Sequence, residues 1–199
     1  MAINAWKRPN YRSLGVGEAD DRLLDALLER VFTHAPDRRV FKDWLAWCLQ
    51  NEADQPGWAI MLYSRRKGTG KSSLCRLVGK LFGAENSFTQ NGIEQLTGRF
   101  NMPLLASKLI VSEEIKLTPG SKAGNTLKSY ITEKETAAEF KGKDVQRVRQ
   151  CCCLLFTSNN MPHWIEADDR RYYVIDCDHD GHAAGPEADG FAEFMQDWM

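Results

Sequence analysis

The segment Lys67-Gly68-Thr69-Gly70-Lys71-Ser72-Ser73 carries the clearest chemical pattern in this 199-residue chain. It follows a short apolar run, Trp58-Ala59-Ile60-Met61-Leu62-Tyr63, and opens a helical pattern from Lys71 to Phe82. Strand, glycine-rich turn and helix in that order are what a phosphate-binding loop requires. Gly68 and Gly70 let the backbone approach a phosphate chain closely. The N–H groups from Gly68 through Thr69, Gly70, Lys71, Ser72 and Ser73, with the helix N-terminus, would supply partial positive charge. Lys71 is placed to reach the β- and γ-phosphates of ATP, and the Ser72 hydroxyl to bind Mg²⁺. The full pattern is G-x-x-x-x-G-K-[ST], and its first Gly falls on Arg65 here. Ser64-Arg65-Arg66-Lys67 makes the loop unusually basic. The plainer alternative is a turn between strand and helix with a surface lysine.

A second apolar run, Leu109-Ile110-Val111, leads to Glu113-Glu114, about 40 residues after the loop. One carboxylate can hold the metal, with Glu113 named for it, and the other can orient the attacking water. A third run, Cys152 to Phe156, ends in Thr157-Ser158-Asn159-Asn160. The Asn159 amide could hold that water near the γ-phosphate; a plain turn is the alternative. Asp168-Asp169-Arg170-Arg171, read alone, is equally a set of surface ion pairs. Lys141-Gly142-Lys143-Asp144 reads as the tip of a basic hairpin, and Lys141 and Lys143 there suit the phosphates of a single strand. Asp176-Cys177-Asp178-His179-Asp180-Gly181-His182 has metal-ligand residue types but no matching partner pair, so no metal site is assigned to it.

The elements that must position these groups follow from the apolar pattern. Residues 1–18 read as a lead-in arm. Asp20 or Asp21 can cap a helix through Leu23, Leu24, Leu27, Leu28, Val31 and Phe32, broken by His34-Ala35-Pro36. Asp37 to about Gln50 forms a second helix, and the region 19–56 is taken as a helical collar. The region 57–178 is taken as the catalytic core, with a helix over Ser121 to Ile131 and a last strand over Tyr172 to Ile175. Residues 179–199 form an acidic tail with a short helix near Phe191–Trp198. Trp44, Trp47 and Trp58 belong to the core. Strands alternating with helices indicate an α/β fold with a mainly parallel sheet.

Composition bounds the function. Apolar residues make up 43% and charged residues 27%, a globular mix. No run is long enough to span a membrane. The start, MAINAWKRPNYRS, shows no secretory pattern, so a cytoplasmic location is expected. The net charge of −1 hides an asymmetry. The stretch from Tyr172 to Met199 has seven acids and no Lys or Arg, while the preceding residues hold 26 basic against 20 acidic side chains. A basic body permits a polyanionic partner. Cys151, Cys152 and Cys153 are adjacent and so alternate faces on a strand, which prevents one shared metal site. All six cysteines are expected to be reduced.

Together these residues resemble the superfamily 3 helicases of the phage, plasmid and poxvirus-like primase-helicase type, over about residues 20–178. The resemblance implies a P-loop (AAA+-like) ATPase core behind the collar, with Gly68 to Ser73 as the phosphate loop. Glu113 and Glu114 would form the acidic motif, and Thr157-Ser158-Asn159 the terminal Asn motif. It implies a DNA-contacting hairpin motif from Leu127-Lys128-Ser129-Tyr130-Ile131 through Lys141-Gly142-Lys143. It also makes Arg170 or Arg171 an arginine finger that completes a neighbour's site. The implied protein is an ATP-dependent DNA helicase or translocase in phage or plasmid-type replication. It would act as a homo-oligomer, a hexameric ring, on single-stranded DNA, with a primase or replication-initiation protein as a further partner. Arg65 departs from the pattern, no primase segment precedes the collar, and the chain stops soon after its last strand. Two other readings therefore stay open: a P-loop phosphotransferase acting on a small molecule, and an inactive nucleotide- or DNA-binding remnant.

Overall fold

The computed structural model describes residues 7–9, 12, 21–99, 101–139, 141–142 and 144–177. The arm expected over 1–18 lies largely outside the described residues, and the acidic tail over 179–199 with its helix lies wholly outside them. Lys143 is outside them as well.

Two helices come first, α1 (Arg22–Val31) and α2 (Ala35–Gln50). Pro36 sits in the first turn of α2, where its missing N–H has no intrahelical partner to lose. It therefore opens α2, and the helix starts two residues earlier than Asp37. Asp21 occupies the N-cap of α1 without a side-chain capping bond. Its carboxylate instead meets Lys42 of α2 at 2.9 Å, and Asp25 meets the same ammonium at 2.7 Å.

The rest of the chain alternates. It runs through β1 (Ala59–Tyr63), α3 (Lys71–Phe82), β2 (Ser87–Asn91), α4 (Glu94–Thr97), α5 (Met102–Leu105) and β3 (Leu109–Glu113). Then come α6 (Lys122–Thr132), β4 (Glu135–Ala138), β5 (Gln146–Arg149), β6 (Cys153–Ser158) and β7 (Tyr172–Asp176). Five strands form one sheet in the order β2-β3-β6-β1-β7, and every pairing in it is parallel. β4 and β5 form a separate antiparallel hairpin. The fold is thus mixed α/β with a mainly parallel sheet.

Side chains alternate across a strand, and this splits the core in two. Ile60, Leu62, Val111 and Leu155 face one side, where Leu28, Phe41, Trp44, Leu74 and Phe82 of α1, α2 and α3 cover them. Met61, Ile110, Leu154 and Phe156 face the other, beneath Leu96, Leu105, Leu127 and Ile131. The helices expected as a collar therefore share one apolar cluster with α3 and the sheet. Trp44 is fully enclosed there, while Trp47 and Trp58 pack on the cluster's margin. Cys153 lies on the α3 side and Cys152 on the opposite side, as strand alternation requires. All six cysteines are free thiols.

Sheet order puts β1 between β6 and β7, while the next strand along the chain, β2, lies at the far edge. The chain leaves β1 toward β2 on one side, and β7 lies on the other. In open parallel sheets ligands bind at the C-terminal strand ends, near such a reversal of direction.

Candidate nucleotide-binding site

The loop from Ser64 to Gly70 leaves the C-terminal end of β1 and leads into α3. β1 delivers Ser64, fully buried, whose N–H donates to Ser158 O at 3.2 Å on β6. Its hydroxyl donates back to Arg66 O at 2.7 Å and lies 3.1 Å from Thr69 Oγ1. The loop therefore curls over its own start. Gly68 (φ 78°) and Gly70 (φ 87°) occupy the left-handed region, and Gly70 sits at the N-cap of α3. A side chain would strain either position. The first turn of α3 thus follows directly on the loop.

Lys71 is 7% exposed. Its ammonium donates to Ser64 Oγ, to Thr69 Oγ1 at 3.3 Å, and to Asn159 Oδ1 at 3.1 Å across the sheet. Ser72 Oγ donates to Glu113 Oε2 at 3.2 Å. Lys71, Ser72, Glu113 and Asn159 come from three different segments and meet at one end of the sheet. Ser72 and Glu113 present hard oxygen donors side by side. Mg²⁺ suits such a pair, since it keeps several waters and takes one or two protein oxygens plus phosphate.

Glu114 is exposed and has φ 54°, the one positive φ at a non-glycine among the described residues. That conformation costs of order 1 kcal/mol for a residue with a Cβ. It is held because Glu114 N–H donates to Thr157 Oγ1 at 3.2 Å and Ile115 N–H donates to Thr157 O at 2.9 Å. The kink ends β3 and turns consecutive residues to different sides of the sheet end.

Beneath α3, burial pushes the Cys75 thiol up, and it pushes Cys177 up to about 12 against the pull of the Lys71 ammonium. Both stay neutral next to the lysine.

The two arginines differ. Arg171 donates from Nε to Asp169 Oδ1 at 2.6 Å and from its backbone N–H at 3.1 Å. Burial alone would raise the Asp169 carboxyl, but these bonds outweigh it and hold it below the usual carboxylate range. Lys128 of α6 approaches the same carboxylate at 3.6 Å. Arg170 is exposed. On the hairpin, Lys141 is exposed, Arg147 pairs with Glu135 at 3.7 Å, and Arg149 reaches Asp54 at 2.6 Å. Leu127, Tyr130 and Ile131 are core residues of α6.

Reading the chain residue by residue gives no separate role to the Ser64 and Thr157 hydroxyls, both buried here. Each is a hydroxyl where a fully apolar strand ends, and that is the signal they leave in the sequence.

A family described as a family of unknown function, DUF5906, matches residues 62–171, from the end of β1 through Arg171. The chain belongs to this family. A DNA primase-polymerase of Nitratiruptor phage NrS-1 is 30% identical over 183 residues, which is 88% of this chain and 25% of that protein. The chain thus spans about a quarter of that relative's length. An apo structure of the C-terminal region of NrS-1 superposes with a TM-score of 0.75 at 25% identity, covering 92% of this chain and 44% of the other. A second apo form of that region gives a TM-score of 0.67 at 27% identity over 82% of this chain and 38% of the other.

Proposed function

We propose that this chain is an ATP-hydrolysing module of superfamily 3 helicase type that acts on single-stranded DNA in phage replication. The observation that carries the reading is the convergence of Lys71, Ser72, Glu113 and Asn159 at the switch point of the sheet. Glycines in the loop and an exposed helix N-terminus complete a cradle for a triphosphate. The similarity to a phage DNA primase-polymerase supports the replication role, and no helix among the described residues is long and apolar enough to cross a membrane.

In this reading the γ-phosphate takes the place of the oxygens that now surround the Lys71 ammonium. Lys71 neutralises charge that builds on the transferring phosphoryl group, while Asn159 Oδ1 keeps its hold on the lysine. Ser72 and Glu113 would hold a Mg²⁺ ion, which would supply positive charge against the triphosphate. Glu114 stands at the rim and accepts a proton from the attacking water. Arg170, turned outward beside the anchored Arg171, reaches a neighbouring copy's phosphates. Lys141 and the hairpin tip contact the DNA backbone.

The test is steady hydrolysis by the full chain beside Lys71→Ala. Removing one charge donor from such a site costs ~10²–10³ in rate. Equal rates for the two proteins, at unchanged melting temperature, would remove the phosphate-loop assignment.

A further inference from the structure

A groove of about 230 Å³ lies just beyond the two strand ends that carry Glu114 and Asn159, lined by Ile115, Lys116, Leu117, Asn160, Met161 and Trp164. It is smaller than the ~300–1,000 Å³ of a typical small-molecule site, so it accepts one flat ring system better than a whole nucleotide. Its floor is apolar: Ile115 and Trp164 are 1% and 5% exposed and belong to the core cluster on the α6 side of the sheet. Its rim is not closed. Met161 is a large apolar side chain left 47% exposed. The Lys116 ammonium and the Asn160 side-chain amide make no hydrogen bond among the described residues, and both are exposed.

The two walls are fixed relative to each other. The Ser158 hydroxyl lies 2.8 Å from Ile115 O and 2.9 Å from Asn160 O. His163 N–H to Met161 O at 2.8 Å closes the turn that presents the methionine. The walls are also the immediate continuations of the nucleotide site. Asn159 accepts from Lys71 while Asn160 lines the groove, and Glu114 precedes Ile115, with the β3 kink separating the pair.

We propose that this groove binds a nucleobase of single-stranded DNA, with Lys116 taking the adjoining phosphate. The inference rests on the reading of the chain as a DNA-acting hydrolase. A thioether against a ring face, with Trp164 below, gives a sequence-tolerant stacking contact. The Asn160 amide offers both a donor and an acceptor to a base edge. A cation beside an apolar slot matches a base with its phosphate and disfavours a purely apolar guest. The floor residues Ile115 and Trp164 share their cluster with Leu127 and Ile131 of α6, the helix that leads into the hairpin. Occupancy would press on Asn160 and Ile115, and through them on Asn159 and Glu114. That supplies a short physical route by which DNA could alter hydrolysis.

The test compares two labelled probes of equal length, an oligothymidine and an abasic oligodeoxynucleotide, titrated by anisotropy with the full chain. Wild type should prefer the oligothymidine. Met161→Ala should weaken that probe on the order of tenfold and leave the abasic probe within about twofold, the size expected of one lost stacking contact. Asn160→Ala should give a smaller loss of the same pattern, and melting temperatures of both variants should match wild type. Lys141→Ala should weaken both probes alike, because it acts on phosphates. Equal effects of Met161→Ala on both probes, or none on either, would overturn the groove assignment while leaving DNA binding intact. Failure of wild type to bind either probe would overturn the proposed function together with it.

Discussion

At the scale of single residues, the Lys71 ammonium already sits among oxygens from Ser64, Thr69 and Asn159. A cation held this way is kept at the loop before any phosphate arrives, and a phosphate that replaces Ser64 and Thr69 around it exchanges one set of oxygens for another. The adjacent glutamates are not equivalent. Glu113 is half-buried and accepts from Ser72, whereas Glu114 is exposed and held in a strained conformation by Thr157. Strain of this kind concentrates where geometry is needed for chemistry. Glu114→Gln should bind ATP with near-normal affinity and slow hydrolysis by ~10²–10⁴, the usual contribution of a positioned base. Glu113→Gln should instead raise the Mg²⁺ concentration needed for half-maximal rate. Rates measured across a Mg²⁺ titration separate the two, and a Mg²⁺ shift in Glu114→Gln alone would exchange the roles.

At the scale of elements, what could be read beforehand depended on apolarity. β1, β3 and β6 bury nearly every side chain, so their sequences are continuous apolar runs, and the glycine turn after β1 is explicit. β2 reads Ser-Phe-Thr-Gln-Asn and leaves no such run, because it is an edge strand with one covered face. Its polar side chains still pair: Gln90 Nε2 donates to Ser112 Oγ at 2.8 Å. α4 and α5 are single turns of four residues, too short for any period to emerge. Lys108 is another case that composition hides. It is 4% exposed, and its ammonium donates to Asn51 O, Asp54 O and Cys151 O at 2.8, 2.6 and 2.9 Å. It ties the end of α2 and the connector after it to the start of β3 and the strand entering β6. Lys108→Met keeps the stem and leaves three carbonyls without their donor. A loss of roughly 3 kcal/mol in unfolding free energy is expected, read as the midpoint of a urea melt. Hydrolysis per folded molecule should be unchanged, since Lys108 lies at the opposite end of the sheet from the loop.

At the scale of the whole molecule, the two arginines before β7 are not equivalent. Arg171 is committed to Asp169 within its own chain and Arg170 is exposed, which makes Arg170 the better finger for a neighbour. A finger is worth on the order of 10³–10⁵ in rate in nucleotide hydrolases. Lys71→Ala and Arg170→Ala should each be nearly inactive, yet a mixture should regain part of the rate. Some interfaces then combine an intact loop from one copy with an intact arginine from the next. No recovery at any mixing ratio would place Arg170 in its own chain's chemistry or on the bare surface. The central claim, hydrolysis coupled to DNA, is tested most directly by the steady ATPase rate of the wild-type chain with and without saturating single-stranded DNA. The expected result is a clear rise with DNA that Lys71→Ala abolishes. A measurable rate that DNA leaves unchanged, or no hydrolysis in either condition, would contradict it.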